Sequence, residues 1–347
     1  MKFRAAALLS SLWIAVPCLA AEQQSMDPRF APQPSEEACR SLILASTGGP
    51  TMKDPKILAV RWLGFSTYEL VYGDKIILLD NYYDRGPRYR YLGFKAADVK
   101  RANLILVGHG HADHMSDTAQ TIAQTGAPVI TAPVSAEKLL TEGVDPKKIM
   151  QASGRDGQIY KFDGFTVEPI LGRHGEPGLS PGTGAFRKAY ADAFPATSEE
   201  RDAERAIGAK GTSDTRITAE GTLAFVITFD DGFRLAFRDS GGFMTDEEKA
   251  AMAKIGPVDI LIGAIAANVV AEANAAVLMP MIEIYRPSVY FPAHHEEEVG
   301  GNVDRATEPL FQYIKNKFPG TLTISKEFRE PTCFDTRFNI QSGNARR

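Results

Sequence analysis

From Ile57 onward the chain sets short apolar runs between turn signals. ILAVRWL (57–63), STYELVY (66–72) and KIILLD (75–80) are rich in β-branched and aromatic residues and are split by Gly64 and by Gly73-Asp74, which predicts three strands. NLILVG (103–108) and PVITA (128–132) continue the series and alternate with stretches of helical periodicity at 117–125 and 135–142. QIYKF (158–162), FTVEPIL (165–171), TLAFVITF (222–229), FRLAFRD (233–239), VDILIGAI (258–265) and SVYFPA (288–293) supply further strands. Asp230-Asp231-Gly232 reads as a hairpin turn between two of them, and Ala271–Ile284 as a helix. Strands with interspersed helices over 56–335 predict one large layered α/β unit with two sheets covered by helices, followed by a tail at 336–347. No internal repeat is visible at the level of residue identity.

Three segments depart from this pattern. Residues 1–20 begin with Lys2 and Arg4, run apolar from Ala5 to Val16, and end in small residues at Cys18 and Ala20, the arrangement of a cleaved signal peptide. The apolar run is about a dozen residues, short of the roughly twenty that span a bilayer. The expected location is therefore periplasmic or secreted, with no transmembrane segment in the mature chain. Residues 21–55, rich in Pro, Ser, Gln and Glu, read as a surface segment with one short helix at Ser35–Ala45. Residues 178–221 read as a helical insertion. Its first piece spaces Phe186, Tyr190 and Phe194 along one helix face, and its second opens with Thr197 and Glu200 in capping-box spacing. The aromatic stripe either shapes a substrate pocket as part of a lid or glues the insertion to the body.

Composition narrows the function classes. With 44% hydrophobic and 24% charged residues, the chain is neither disordered nor a polytopic membrane protein. A net charge of −4 without a long basic run argues against nucleic acid as the main partner. One of three cysteines lies in the leader, leaving Cys39 and Cys333. In an oxidising compartment such a pair reads as a disulfide closing a loop of nearly 300 residues.

Histidine is scarce, yet three of the six fall at His109, His111 and His114, with Asp113 among them. A buried β run leads into this cluster, so His109 and His111 can point the same way at i and i+2. Three imidazoles and a carboxylate in six residues suit Zn²⁺ or a similar metal. As a purely structural cluster they make little sense, because charged they repel and neutral each needs a partner.

The His109-x-His111-x-Asp113-His114 spacing resembles the signature of the metallo-β-lactamase superfamily, and the resemblance extends over about residues 57–300. It implies an αββα four-layer sandwich. It also implies further ligands at His174 in GRHGE, Asp239 in FRDSGG and His294 in VYFPAHH, with Asp80 of IILLDN orienting the site. His109, His111 and His174 would hold one metal and Asp113, His114 and His294 the other, with Asp239 and a hydroxide bridging them. Two Zn²⁺ ions are implied, with Mn²⁺ or Fe as substitutes. His295 would be a neighbouring group or a proton donor to the leaving group. The activity implied is cleavage of an ester, lactone, amide or phosphodiester by a metal-bound hydroxide, with Asp113 in a catalytic role.

RWLGFSTYELVYGDKIILLDN and the Pro-Ala-His ending resemble the branch of sugar-phosphate lactonases and N-acyl-phosphatidylethanolamine-type phospholipases. A β-lactam hydrolase and an iron-dependent redox protein on the same fold are the alternatives. In the loop Tyr82–Tyr91, Arg85, Arg88 and Arg90 either grip the phosphate or carboxylate of an anionic small-molecule substrate or belong to a solvated surface loop.

Overall fold

The computed structural model describes residues 34–175, 192, 195–265, 271–296 and 303–340. The leader and the Phe186, Tyr190 and Phe194 stripe lie outside the described residues.

Two seven-stranded sheets carry the fold. The first contains β1 (Ile57–Trp62), β2 (Tyr68–Tyr72), β3 (Lys75–Leu79), β4 (Leu104–Leu106), β5 (Val129–Thr131), β6 (Ile149–Gln151) and β14 (Pro331–Asp335), with β14 beside β1 and the rest in sequence order. The second contains β7 (Tyr160–Phe162), β8 (Phe165–Leu171), β9 (Leu223–Phe229), β10 (Arg234–Arg238), β11 (Ile260–Ala264), β12 (Val289–Ala293) and β13 (Leu322–Thr323), in unbroken order. Each sheet is antiparallel along its first four strands and parallel along its last four. This shared pattern is a duplication of architecture with no trace in residue identity.

Alternation along the strands stacks the sheets. In β10, Leu235 and Phe237 enter a core shared with Leu58, Leu70 and Ile77 of the first sheet, while Ala236 faces the other way. Ala236, Leu261 and Tyr290 pack instead with Met252, Ile282 and Leu310, which belong to the helices Asp246–Ile255, Ala271–Tyr285 and Val303–Lys317. On the first sheet, the crossovers between parallel strands carry α1 (Ala112–Met115), α2 (Thr118–Thr125) and α3 (Pro133–Thr141). In the insertion, α4 (Ser198–Gly208) opens with the expected capping box of Thr197 and Glu200. The Asp230–Gly232 hairpin also forms, Gly232 donating to the Phe229 carbonyl at 2.8 Å.

The segment before β1 differs from its sequence reading. Two 3₁₀ turns, Glu37–Cys39 and Ala45–Thr47, replace the helix expected at 35–45. The cause is a buried ion pair beneath them. Glu69 of β2 meets Arg61 of β1 at 3.2 Å, and its carboxylate also accepts the amides of Ala45 at 3.1 Å and Ser46 at 2.8 Å. Those amides would otherwise be helical donors. Ala38, Leu44 and Ala45 are thereby drawn into the core. Cys39 is disulfide-bonded to Cys333 on β14, with a Cα–Cα distance of 5.9 Å, tying this segment to the edge of the first sheet.

Candidate metal centre

The candidate residues sit just beyond the carboxyl ends of strands, where open α/β sheets place their sites. Asp80 follows β3, the 109–114 cluster follows β4, His174 follows β8, Asp239 follows β10 and His294 follows β12. The structure brings all of them into one place. His109 Nδ1 lies 2.7 Å from Asp239 Oδ2, and His109 Nε2 lies 3.0 Å from His111 Nδ1. The His174 ring stands 4.7 Å from that of His109 and 4.6 Å from that of His111. On the other side, Asp113 Oδ2 is 3.0 Å from His294 Nε2 and 3.6 Å from His114 Nε2. His114 Nδ1 is 3.2 Å from Asp239 Oδ2, so Asp239 touches both halves.

Three groups therefore have donor atoms within 4.8 Å of one another: His109–His111–His174, His109–His114–Asp239 and Asp113–His114–His294. A divalent metal fits this set. Imidazole and carboxylate donors converge, and among the described residues the buried Asp239 Oδ1 has no hydrogen-bond partner.

No protein-family model matches the chain. A UPF0173 metal-dependent hydrolase of Agrobacterium fabrum is 35% identical over 114 residues, 32% of this chain and 45% of that protein. Another, from Cupriavidus necator, is 30% identical over 148 residues, 42% of this chain and 48% of that one. The chain thus spans about half the length of the curated relatives it matches. Among solved structures, the metallo hydrolase Igni18 of Ignicoccus hospitalis superposes with a TM-score of 0.55 at 14% identity, covering 80% of this chain and 98% of that one. The two sheets and their helices form the metallo-β-lactamase fold, and the clustered motif resembles that of its superfamily.

In this metallo-β-lactamase fold the electrostatics of the site follow from burial and crowding. Burial, reinforced by neighbouring imidazoles, pulls His109, His111 and His174 down to about 4, so they are neutral near pH 7 and each carries a ring-nitrogen lone pair. Burial would also lower His114, but Asp113, Asp80 and Asp239 around it raise it well above its usual value. Conversely, burial would raise Asp113 and Asp239, and the surrounding histidines outweigh it and hold both low. Asp80, buried and facing the Asp239 charge, rises to about 6.

A second layer fixes these groups. Asp80 Oδ2 meets His114 Nδ1 at 2.7 Å and accepts from Ser66 Oγ at 2.6 Å, and its Oδ1 accepts the Gly108 amide at 3.0 Å. Such an outer carboxylate sets the tautomer and ring direction of a metal-binding histidine. Asp80 (φ 50°), His294 (φ 57°) and Phe65 (φ 47°) all have left-handed backbones, a concentration of strain at the site. Gly108 is required by space: a Cβ there would lie 2.1 Å from Asp239 Cγ. Sequence reasoning missed Ser66, whose role needs a partner, Asp80, beyond the end of β3, and Thr212. The Thr212 amide donates to the Gly110 carbonyl at 2.7 Å, so the described end of the insertion lies directly on the metal-motif loop.

Position narrows two open readings. His295, expected as a proton donor, makes none of the contacts within the cluster. Its ring is buried and stacked on Trp62 with centroids 4.1 Å apart. With His294 in a left-handed conformation, the two neighbouring side chains part company. Of the two readings of the arginine loop, ion pairing favours the one without a ligand: Arg85 meets Glu296 at 2.7 Å, Arg88 meets Glu204 at 3.1 Å and Arg90 meets Glu327 at 2.8 Å.

Proposed function

We propose that the chain is a metal-dependent hydrolase that holds two divalent cations and opens an ester-type bond, such as a lactone or phosphodiester, in a small molecule. The observation that carries this reading is the convergence of five imidazoles and two carboxylates as two three-residue groups joined through Asp239. The name metal-dependent hydrolase borne by the UPF0173 relatives agrees with it. Zinc suits the nitrogen-rich set best, with Mn²⁺ or Fe as substitutes.

A bound cation pair would supply a Lewis acid and bring the pKa of a coordinated water towards neutrality. His109, His111 and His174, neutral at pH 7, would bind without first losing a proton. Asp80 accepts at His114 Nδ1, which turns His114 Nε2 towards Asp113. Asp239 is fully buried, whereas Asp113 is one-third exposed at 33%. Asp113 is therefore the carboxylate placed to meet entering water, and the histidines around it keep it ionised. An anionic substrate has less support, since Arg85, Arg88 and Arg90 each have a carboxylate partner. Residues 1–20 and the Cys39–Cys333 bond support export as the setting.

The test is metal analysis of protein purified without added metal, followed by turnover on lactones, phosphodiesters, phospholipids and β-lactams. We expect about two equivalents of metal and hydrolysis of one ester-type class. His111→Ala and Asp113→Ala should abolish that turnover while unfolding stays cooperative. Unchanged turnover in either variant, or bound iron with a visible absorption band and no hydrolysis, refutes the reading.

A further inference from the structure

His294, His295 and Glu296 are consecutive, yet each runs to a different anchor. β12 ends at Ala293, and His294 then adopts φ 57° while its amide donates to the Phe65 carbonyl at 2.9 Å. Such a conformation is strained and persists where the surroundings over-determine it. In an extended segment residues 294 and 296 would share a face. Here His294 Nε2 reaches Asp113, His295 stacks on Trp62, and Glu296 Oε2 lies 2.7 Å from Arg85 Nη1.

Arg85 is the hub of this arrangement. It is only 3% exposed, and Glu296 only 5%. Its guanidinium lies over the ring of Phe328 at 5.1 Å and those of Phe65 and Tyr89 at 5.8 Å, and Nη2 donates to the Arg90 carbonyl. Gly64 makes room for it, because a Cβ there would sit 2.5 Å from Arg85 Nη1. Phe65 serves both ends: its carbonyl holds the His294 amide, and its ring stands edge-on to the His294 ring at 5.4 Å. The guanidinium thus locks the loop after β3 and the turn after β1 onto the segment that delivers His294.

We propose that the buried Arg85–Glu296 pair is a positioning device for one half of the metal centre, holding His294 against Asp113 and His114. Metal affinity at Asp113–His114–His294 then depends on the pair, and affinity at His109–His111–His174 does not. The inference rests on the metal-hydrolase reading. Groups that orient metal ligands from behind change affinity about 10–100-fold when removed. A surface ion pair could not do this, but a buried one constrains both segments, because neither charge can be left without its partner.

The test is calorimetric titration of the metal-stripped full chain with Zn²⁺ alone, with the visible spectrum of the Co²⁺-loaded chain as a second readout. The wild type should take two equivalents. Glu296→Gln should weaken one of them about 10–100-fold, leave the other unchanged, and alter the cobalt spectrum. The persisting equivalent should be the one lost in His111→Ala, and the weakened one should be the one lost in His294→Ala. Arg85→Lys, which keeps the charge and loses the planar fork, should act in the same direction, and it serves if Glu296→Gln does not fold. Wild-type affinity at both sites in the variants, or equal weakening at both, overturns the inference alone. So does a single wild-type equivalent that survives His294→Ala. A wild-type chain that takes up no zinc overturns the metal reading itself and this inference with it.

Discussion

Gly108→Ala tests how closely the two sheets must approach at the site. The new Cβ would stand 2.1 Å from Asp239 Cγ and Oδ2 and 2.5 Å from Oδ1. Ordinary contact begins near 3.4 Å, so Asp239 or the backbone must move by about 1.3 Å. The neighbour cannot yield by rotating a flexible end, because the same carboxylate meets His109 at 2.7 Å and His114 at 3.2 Å. Overpacking of this kind costs about 1–3 kcal/mol in stability. A displacement of about 1 Å at reacting groups can cost about 100-fold in rate. The Gly108 amide is also tied to Asp80 at 3.0 Å, so relief by backbone movement would disturb the group that orients His114. Gly208→Ala is the control, since nothing lies within 4 Å of its Cβ position and it ends a helix. The assay is zinc uptake and hydrolysis alongside a thermal melt. Gly108→Ala should lose most metal affinity and about 100-fold in turnover, and Gly208→Ala neither. Wild-type uptake and turnover in Gly108→Ala would show that Asp239 is not held where the distances place it.

Three further outcomes can be checked. Reducing Cys39–Cys333, or replacing both residues by serine, releases a cross-link between positions 294 apart, which the chain-entropy relation values at about 5–6 kcal/mol as an upper figure. With an unfolding entropy of about 2.1 cal/mol/K per residue, that lowers the melting temperature by up to about 9 °C, and a shift under 1 °C would contradict it. In the metal-free chain, His109, His111 and His174 titrate near 4 when folded against 6.5 when unfolded. The unfolded chain therefore gains protons first, and stability falls as pH drops from 6.5 to 4. Asp80, raised to about 6, and His114, raised well above its usual value, act in the opposite sense, losing stability as pH rises, but with the buried His295 lowered to about 3 they are two groups against four. Urea midpoints at pH 7, 5.5 and 4.5 with a chelator present should decrease in that order, and a rise would refute the assignment. Finally, His295→Phe keeps the stack on Trp62 and should keep turnover within a few-fold, whereas a thousandfold loss would restore His295 as a catalytic group.

The sequence alone determined whatever rests on local periodicity and spacing. Alternating runs such as FRLAFRD placed strands, because side chains on a strand change face at every residue. The six-residue His/Asp cluster marked the site, because neighbours in sequence at the end of a strand are neighbours in space. The wider set of His174, Asp239 and His294 was legible only through a family resemblance, since nothing local distinguishes those residues. The tertiary structure decided the rest. Glu69 draws the backbone of Ala45 and Ser46 away from a helix, which requires two distant segments to meet over one buried charge. His294 and His295 diverge because one backbone torsion is left-handed, a choice set by the Phe65 carbonyl and invisible in the letters. Arg85, Arg88 and Arg90 looked equally free for a ligand, and only packing revealed their carboxylate partners, at separations of 211, 116 and 237 residues. Long-range pairing of charges depends on which surfaces the fold presses together, and short-range pattern carries no record of it.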